Sequence, residues 1–286
     1  MKQIDFFISN QRFQIIISDD TNKKESAKMS DKPKLIFKFR SVTTLKELVR
    51  LRDIVQNNQL YIPTIPQVND PFEGKINVSF AKAGSFITHA KDIDFGPVSD
   101  RKEQTRLLSL SEDCFSPQLW AYYCNDYHGV CLCFKTDKTF SAIQRVSYPE
   151  LIDEGEMISN PEPDEIYKLI RESLFRKQAG WKYEHEWRMV FQPELDKNGI
   201  EKNEALSKLV FGADEIVGVI VGDKLNKEEK KLIRDIVPDT IKMFEVHTGA
   251  LSGKVKLHDF GYVYAGETRE PDYITTVDEL FDRINL

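Results

Sequence analysis

The alternation of apolar and polar positions divides the chain into short strands and amphipathic helices. Residues 5–17 hold two apolar runs, Phe6-Phe7-Ile8 and Phe13 to Ile17, around Ser9-Asn10-Gln11-Arg12, and this predicts a hairpin. Residues 19–34 are polar and charged and read as a linker, within which Met29-Ser30-Asp31-Lys32 looks like a chain start. Leu35 to Arg40 alternates as a strand. Thr44-Leu45-Lys46-Glu47 then forms a capping box that opens a helix with apolar positions at Leu45, Leu48, Leu51, Ile54 and Val55, closed by Asn57-Asn58. Leu60 to Pro63 is expected to be a short strand, because Pro63 and Pro66 cannot donate to a ladder.

Leu107 to Ser111 alternates again. Ser116-Pro117 supplies an N-cap and a first-turn proline for a helix over Gln118 to Asn125. Gly129 to Phe134 is almost continuously apolar, as a central strand would be. A helix beginning at Pro163, strands at Trp187 to Phe191 and Glu215 to Val221, and a helix capped by Asn226 over Lys227 to Ile236 follow. Strands at Ile241 to Val246 and Val255 to Phe260 complete the sheet, and an amphipathic helix over Val277 to Ile284 docks outside it. Helices and strands mix without regular βαβ alternation, which predicts an α+β fold with a mixed, mostly antiparallel sheet and flanking helices. The expected division is a hairpin and linker over 1–33, the α+β domain over 34–264 and a docking helix over 265–286.

Composition narrows the function classes. With 286 residues, 41% of them apolar and 30% charged, the chain can bury a sizeable core, and no apolar run approaches the roughly 20 residues that span a bilayer. No membrane partner is expected. The charged N-terminal stretch does not read as a secretory signal, so the expected location is the cytoplasm. Cys114, Cys124, Cys131 and Cys133 read as free buried thiols. A formal charge of −6 argues against coating nucleic acid by bulk electrostatics, which requires neutralising many phosphates.

Four segments could carry chemistry. Asn69-Asp70-Pro71-Phe72-Glu73-Gly74 is a well-formed turn in which neither carboxylate is needed for turning, so it either caps a loop or aims Asp70 or Glu73 into a site. Trp181 to Arg188 is dense in charges and aromatics. Read as a strand entry, it places Glu184, Glu186 and Arg188 on one face and Tyr183, His185 and Trp187 on the other. Carboxylates about 7 Å apart on one strand face repel unless a cation or substrate hydroxyls lie between them. Ser109 and Ser111 share a strand face, and Arg40 ends its strand. His128 has no His or Cys at zinc-ligand spacing, so no metal site of that type is expected.

Phe37 to Ser41, Asn69 to Glu73, Ser109 to Glu112, Trp120 to Tyr123 with Gly129, and Trp181 to Arg188, in that order, resemble a bacterial family catalogued as domain of unknown function 2971. The resemblance runs from Lys34 to Phe260 and implies no activity. A second resemblance is to ADP-ribosyltransferase-like folds, through Arg40, Ser109-Leu110-Ser111 and Glu184-His185-Glu186. It implies NAD as the ligand and a protein or nucleic-acid target, with a role in phage defence. Arg40 would hold the pyrophosphate, Ser109 and Ser111 the nicotinamide ribose, and Glu186, with Glu184, an oxocarbenium-like transition state. Asn69, Asp70, Glu73, Trp120, Tyr123 and Trp181 complete the expected binding wall. The chain departs from that pattern in its long Ser111 to Glu184 separation and in lacking a glycine-rich phosphate loop.

Two rival readings stay open on the sequence. In a metal-dependent nuclease, Asp70, Glu73, Glu184 and Glu186 would bind Mg²⁺ with Lys182 assisting. In a binding module, Trp120, Tyr122, Tyr123, Trp181 and Trp187 would form a recognition surface. The sequence does not give the oligomeric state.

Overall fold

The structure is a computed structural model and describes residues 2–8, 11–17, 32–70, 73–74, 101–150, 163–194, 205–249, 254–261 and 271–285. Strands β1 (Lys2–Ile8) and β2 (Gln11–Ile17) pair as the expected antiparallel hairpin. The expected linker over 19–34 lies almost wholly outside the described residues.

An eight-stranded sheet organises the rest. It contains β3 (Leu35–Ser41), β5 (Arg106–Ser111), β6 (Gly129–Lys135), β7 (Gln144–Arg145), β8 (Glu186–Phe191), β10 (Ile216–Val221), β11 (Lys242–Thr248) and β12 (Val255–Asp259), in the order β12-β11-β10-β6-β3-β5-β8-β7. Only β10 and β11 run parallel. The fold is therefore α+β with a mixed, mostly antiparallel sheet. β4 (Gln59–Tyr61) and β9 (Lys208–Val210) form a separate pair. β6 is buried at six of its seven positions, as its unbroken apolar run requires at the sheet centre.

Helices cover both faces. Helix α1 (Leu45–Asn57) carries the capping box between Thr44 and Glu47 and ends on Asn58 in the left-handed region. It packs Leu51, Ile54 and Val55 with Ile233 of α4 (Lys227–Ile236) onto one face. Leu45, expected on the apolar stripe, is instead 79% exposed, because it starts the helix before the stripe reaches the sheet. On the other face lie α2 (Pro117–Tyr123), with Leu119 and Trp120, and α5 (Val277–Asn285), with Leu280 and Ile284. A third cluster joins Ile170 and Leu174, at the end of α3 (Pro163–Ser173), to Ile65, Leu107 and Val190. The four cysteines are buried and free, and burial raises each thiol pKa. Among the described residues no helix is long and apolar enough to cross a membrane.

The sheet is interrupted at one point. β3 and β5 pair only at Phe37 and Ser111. Further along β5 its partner is the segment after β4, where Leu107 N–H donates to Pro63 O at 2.9 Å and Ile65 N–H to Thr105 O at 3.2 Å. β3 and β5 thus part company one residue pair after they meet. A gap opens between them inside an otherwise continuous sheet.

Trp187 alternates out of that gap into the core, 6% exposed, with its indole N–H donating to Glu112 at 2.7 Å. Trp187→Ala is expected to cost about 3 to 5 kcal/mol in chemical denaturation. A loss under about 1 kcal/mol would show that the β8 register is wrong.

Candidate functional site

The gap between β3 and β5 holds a cavity of about 240 Å³. Its walls are Phe37 to Arg40 of β3, Leu107 and Ser109 to Ser111 of β5, the turn from Gln67 to Asp70 with Glu73, and Leu119 and Tyr123 of α2, together with Lys177, Glu184, Glu186 and Arg188. Segments far apart in sequence, around residues 40, 70, 110, 123 and 185, therefore meet at one place.

One wall is a buried ion network centred on Arg188. Its Nη1 and Nη2 donate to the two oxygens of Glu73, both at 2.7 Å, while Nε and Nη2 donate to Glu186 at 2.7 and 2.8 Å. Nη1 also donates to the carbonyl of Leu174 at the end of α3. Lys177 Nζ adds a second cation, 2.6 Å from Glu184 and 3.4 Å from Glu186. Burial raises the Glu186 carboxyl, but Arg188, then Lys177 and the Ser109 hydroxyl, outweigh it and hold the pKa at about 2. Glu184 shifts the opposite way, raised by burial and by the charge of Glu186. The Tyr123 hydroxyl donates to Glu184 at 2.5 Å, and burial beside that carboxylate raises the phenol far above its ordinary value.

The geometry of Glu184 differs from the strand expected over Trp181 to Arg188. Residues Ala179–Glu184 form a 3-10 turn, and His185 follows in the left-handed region at φ 45°. The ladder resumes through Glu112 N–H donating to His185 O at 3.1 Å. This kink swings Glu184 beside Glu186, where Lys177 bridges the two carboxylates instead of leaving them to repel along a flat strand. The Ser111 hydroxyl fixes the kink by donating to Glu184 O at 2.7 Å and accepting from Asp113 N–H at 3.1 Å. Ser111 therefore positions the acidic wall and has little capacity left for a ligand.

The opposite wall is cationic. Lys38 donates to Ser109 O at 2.6 Å, capping a β5 carbonyl that a continuous ladder would have used. Lys38 is half-buried, with protein atoms crowding it, and the resulting desolvation, with Arg40 close by, lowers its pKa to about 7. Arg40 Nε is buried without a hydrogen-bond partner. Neither residue forms an ion pair among the described residues, whereas Lys177 and Arg188 are both neutralised. Gly129 allows this arrangement, since a Cβ there would lie 2.3 Å from Arg40 O.

Of the residues proposed from the sequence, Arg40, Asn69, Asp70, Glu73, Ser109, Ser111, Tyr123, Glu184 and Glu186 all line the cavity. Pro71 and Phe72 lie outside the described residues. Trp120 does not line it. The ring is fully buried, stacked on Tyr127 at 5.9 Å with its N–H on Cys114 O at 2.8 Å, because its position on α2 faces the sheet. Trp181 does not line the cavity but lies against Lys177, its ring centroid 4.4 Å from Nζ. Glu73, Glu184 and Glu186 of the nuclease reading are engaged by Arg188 and Lys177, and among the described residues no group of three or more His, Cys, Asp or Glu could hold a metal ion. Lys38 and Lys177 were not singled out from the sequence. Lys38 does interrupt the apolar run between Phe37 and Phe39, which is a usable signal, but Lys177 in Arg176-Lys177-Gln178 offers none.

A family model described as Protein of unknown function (DUF2971) matches residues 119–189. Over this stretch the chain is similar to that family. No curated protein and no solved structure matches the chain. The DUF2971 match is narrower than the span from Lys34 to Phe260 over which the sequence motifs resemble the family. It contains Tyr123, Lys177, Glu184, Glu186 and Arg188, the whole acidic wall apart from Glu73, while both β3 and β5 lie outside it.

Arg188→Met leaves Glu73 and Glu186 buried beside each other without their shared cation. It should destabilise the protein by about 3 to 5 kcal/mol in urea unfolding, and adding Glu73→Gln and Glu186→Gln should restore much of the loss. A mild effect from the single change would mean that Lys177 alone neutralises the cluster.

Proposed function

We propose that the cavity binds the ribose-phosphate part of a nucleotide and acts as an ADP-ribosyltransferase-like site that takes NAD. The observation that carries this reading is the pair of cations on β3, Lys38 and Arg40, which line the cavity with no ion pair among the described residues, opposite a wall of buried carboxylates. Such a pair suits a pyrophosphate. A volume of about 240 Å³ is below the roughly 300 to 1,000 Å³ that encloses drug-sized ligands, so the ribose and phosphate enter while the remainder extends through the mouth.

In the transfer the bond between the ribose anomeric carbon and the nicotinamide nitrogen breaks, and nicotinamide leaves with the bonding electrons. A nucleophile on a protein or nucleic-acid target forms the new bond and releases its proton. The carboxylate best suited to the developing ribosyl cation is Glu184 rather than Glu186. Glu186 already accepts two Arg188 bonds and one from Lys177, whereas each Glu184 oxygen has one partner, Tyr123 or Lys177. The Glu184 oxygens can each accept one more hydrogen bond, the capacity a ribose hydroxyl requires.

Calorimetric titration with pyrophosphate and NAD tests the anion end. Folding disfavours the Lys38 charge, so its stability cost is complete below about pH 7 and disappears as pH rises toward the ordinary 10.5. Anion attraction runs the other way and is strongest below pH 7. Pyrophosphate affinity should therefore fall between pH 6 and 8.5, and Lys38→Met should flatten that dependence. Absence of pyrophosphate and NAD binding at pH 6 would overturn the reading.

Nicotinamide release tests the acidic end. Glu184→Gln should retain NAD affinity and lower turnover by about 10²-fold or more. Glu186→Gln should act chiefly through stability, because it loosens Arg188. NAD binding without nicotinamide release from the unmodified protein would leave a binding module in place of an enzyme.

A further inference from the structure

Beside the cavity three aromatic rings form a row in which Tyr122 is exposed and Tyr183 and Trp181 are half-buried. Tyr122 is 69% exposed on α2, one residue from Tyr123, whose side chain turns inward to Glu184. Adjacent helical residues point about 100° apart, so one ring enters the wall and its neighbour remains outside. Tyr183 and Trp181, two apart on the turn before β8, continue the row. Ring centroids are 6.1 Å from Tyr122 to Tyr183 and 6.1 Å from Tyr183 to Trp181.

The row is continuous with the cavity. Trp181 lies over Lys177, the cation that bridges Glu184 and Glu186, and Tyr183 feels the charges of both Glu184 and Asp70. The other two tryptophans, Trp120 and Trp187, are sequestered in the core. Exposed aromatic surface contributes stabilisation only when something flat and apolar covers it.

We infer that Tyr122, Tyr183 and Trp181 form a stacking ledge for the base of a nucleotide whose phosphate is held inside by Lys38 and Arg40. This rests on the phosphate reading of the cavity. A nucleobase is the matching occupant because it is planar, has an apolar face on either side, and is covalently attached to the ribose-phosphate that the cavity is proposed to take. The base could belong to a free nucleotide or to a nucleic-acid strand. The charges favour the free nucleotide, since strand binding draws on many cations along a groove and this chain carries a formal charge of −6.

Titration of the full chain with ADP, adenosine, pyrophosphate and a short single-stranded oligonucleotide, read by tryptophan fluorescence and calorimetry, tests the inference. Trp120 and Trp187 are buried, so ligand-dependent quenching reports on Trp181. ADP is expected to quench and pyrophosphate to bind without quenching. Tyr122→Ala, at an exposed position that does not endanger the fold, should weaken ADP about tenfold and leave pyrophosphate affinity within about twofold. Tyr122→Phe should retain ADP affinity, because stacking needs the ring and not the hydroxyl. Unchanged ADP affinity in Tyr122→Ala, or tighter binding of the oligonucleotide than of ADP, would overturn the inference. The phosphate reading fails separately: if pyrophosphate does not bind yet adenosine quenches Trp181, the ledge is supported alone, and if adenosine too is silent, both are overturned.

Discussion

A guanidinium buried among carboxylates governs the site. Taking Arg188 out of water costs several kcal/mol, and only near-complete hydrogen bonding by its surroundings makes that burial tolerable. The structure meets this demand with Glu73, Glu186 and the Leu174 carbonyl, drawn from a turn, a strand and a helix end. Each of those elements is thereby fixed in position. Lys177 and Glu184 then extend the same neutralisation toward the cavity, so the acidic wall is held by charge pairing as much as by the sheet.

The cationic wall arises differently, from the sheet's failure to close. Where β3 and β5 separate, backbone groups lose their ladder partners, and buried carbonyls cannot remain unsatisfied. Lys38 answers one of them with its amine, while Pro63 and Ile65 take over the pairing of early β5. Opening the sheet thus creates the cavity and draws a lysine into it in one step. Among the described residues Lys38 and Arg40 form no ion pair, while Glu73, Glu184 and Glu186 are committed to Arg188 and Lys177.

Much of this was legible in the residues themselves. The alternation of β3, β5 and β8, the apolar run of β6 and the caps at Thr44, Ser116 and Asn226 are local signals, and each forms as its pattern requires. The convergence of Arg40, Asp70, Ser109, Glu184 and Glu186 could be expected from residue types that a core does not need. Their connections could not. The left-handed backbone at His185 is set by Ser111 from another strand, and the charge of Lys177 acquires meaning only from carboxylates seven and nine residues away that a turn folds back onto it. Trp120 misled for the same reason, since an aromatic in a polar segment looks identical whether its helix turns it toward ligand or toward sheet.

The strand order has a consequence for how the chain can be divided. Within the stretch that the DUF2971 model matches the two principal strands are β6 and β8, yet in the sheet they are separated by β3 and β5, which both precede it. Cut out alone, residues 119–189 would strip β6 of both its neighbours, β3 and β10, and β8 of β5, leaving three exposed edges where an interior had been and the fully buried residues of β6 facing solvent. The recognisable stretch is therefore not an autonomous unit. It is part of an interleaved sheet, and to fold it requires strands from both sides of it in sequence, β3 and β5 upstream and β10 downstream.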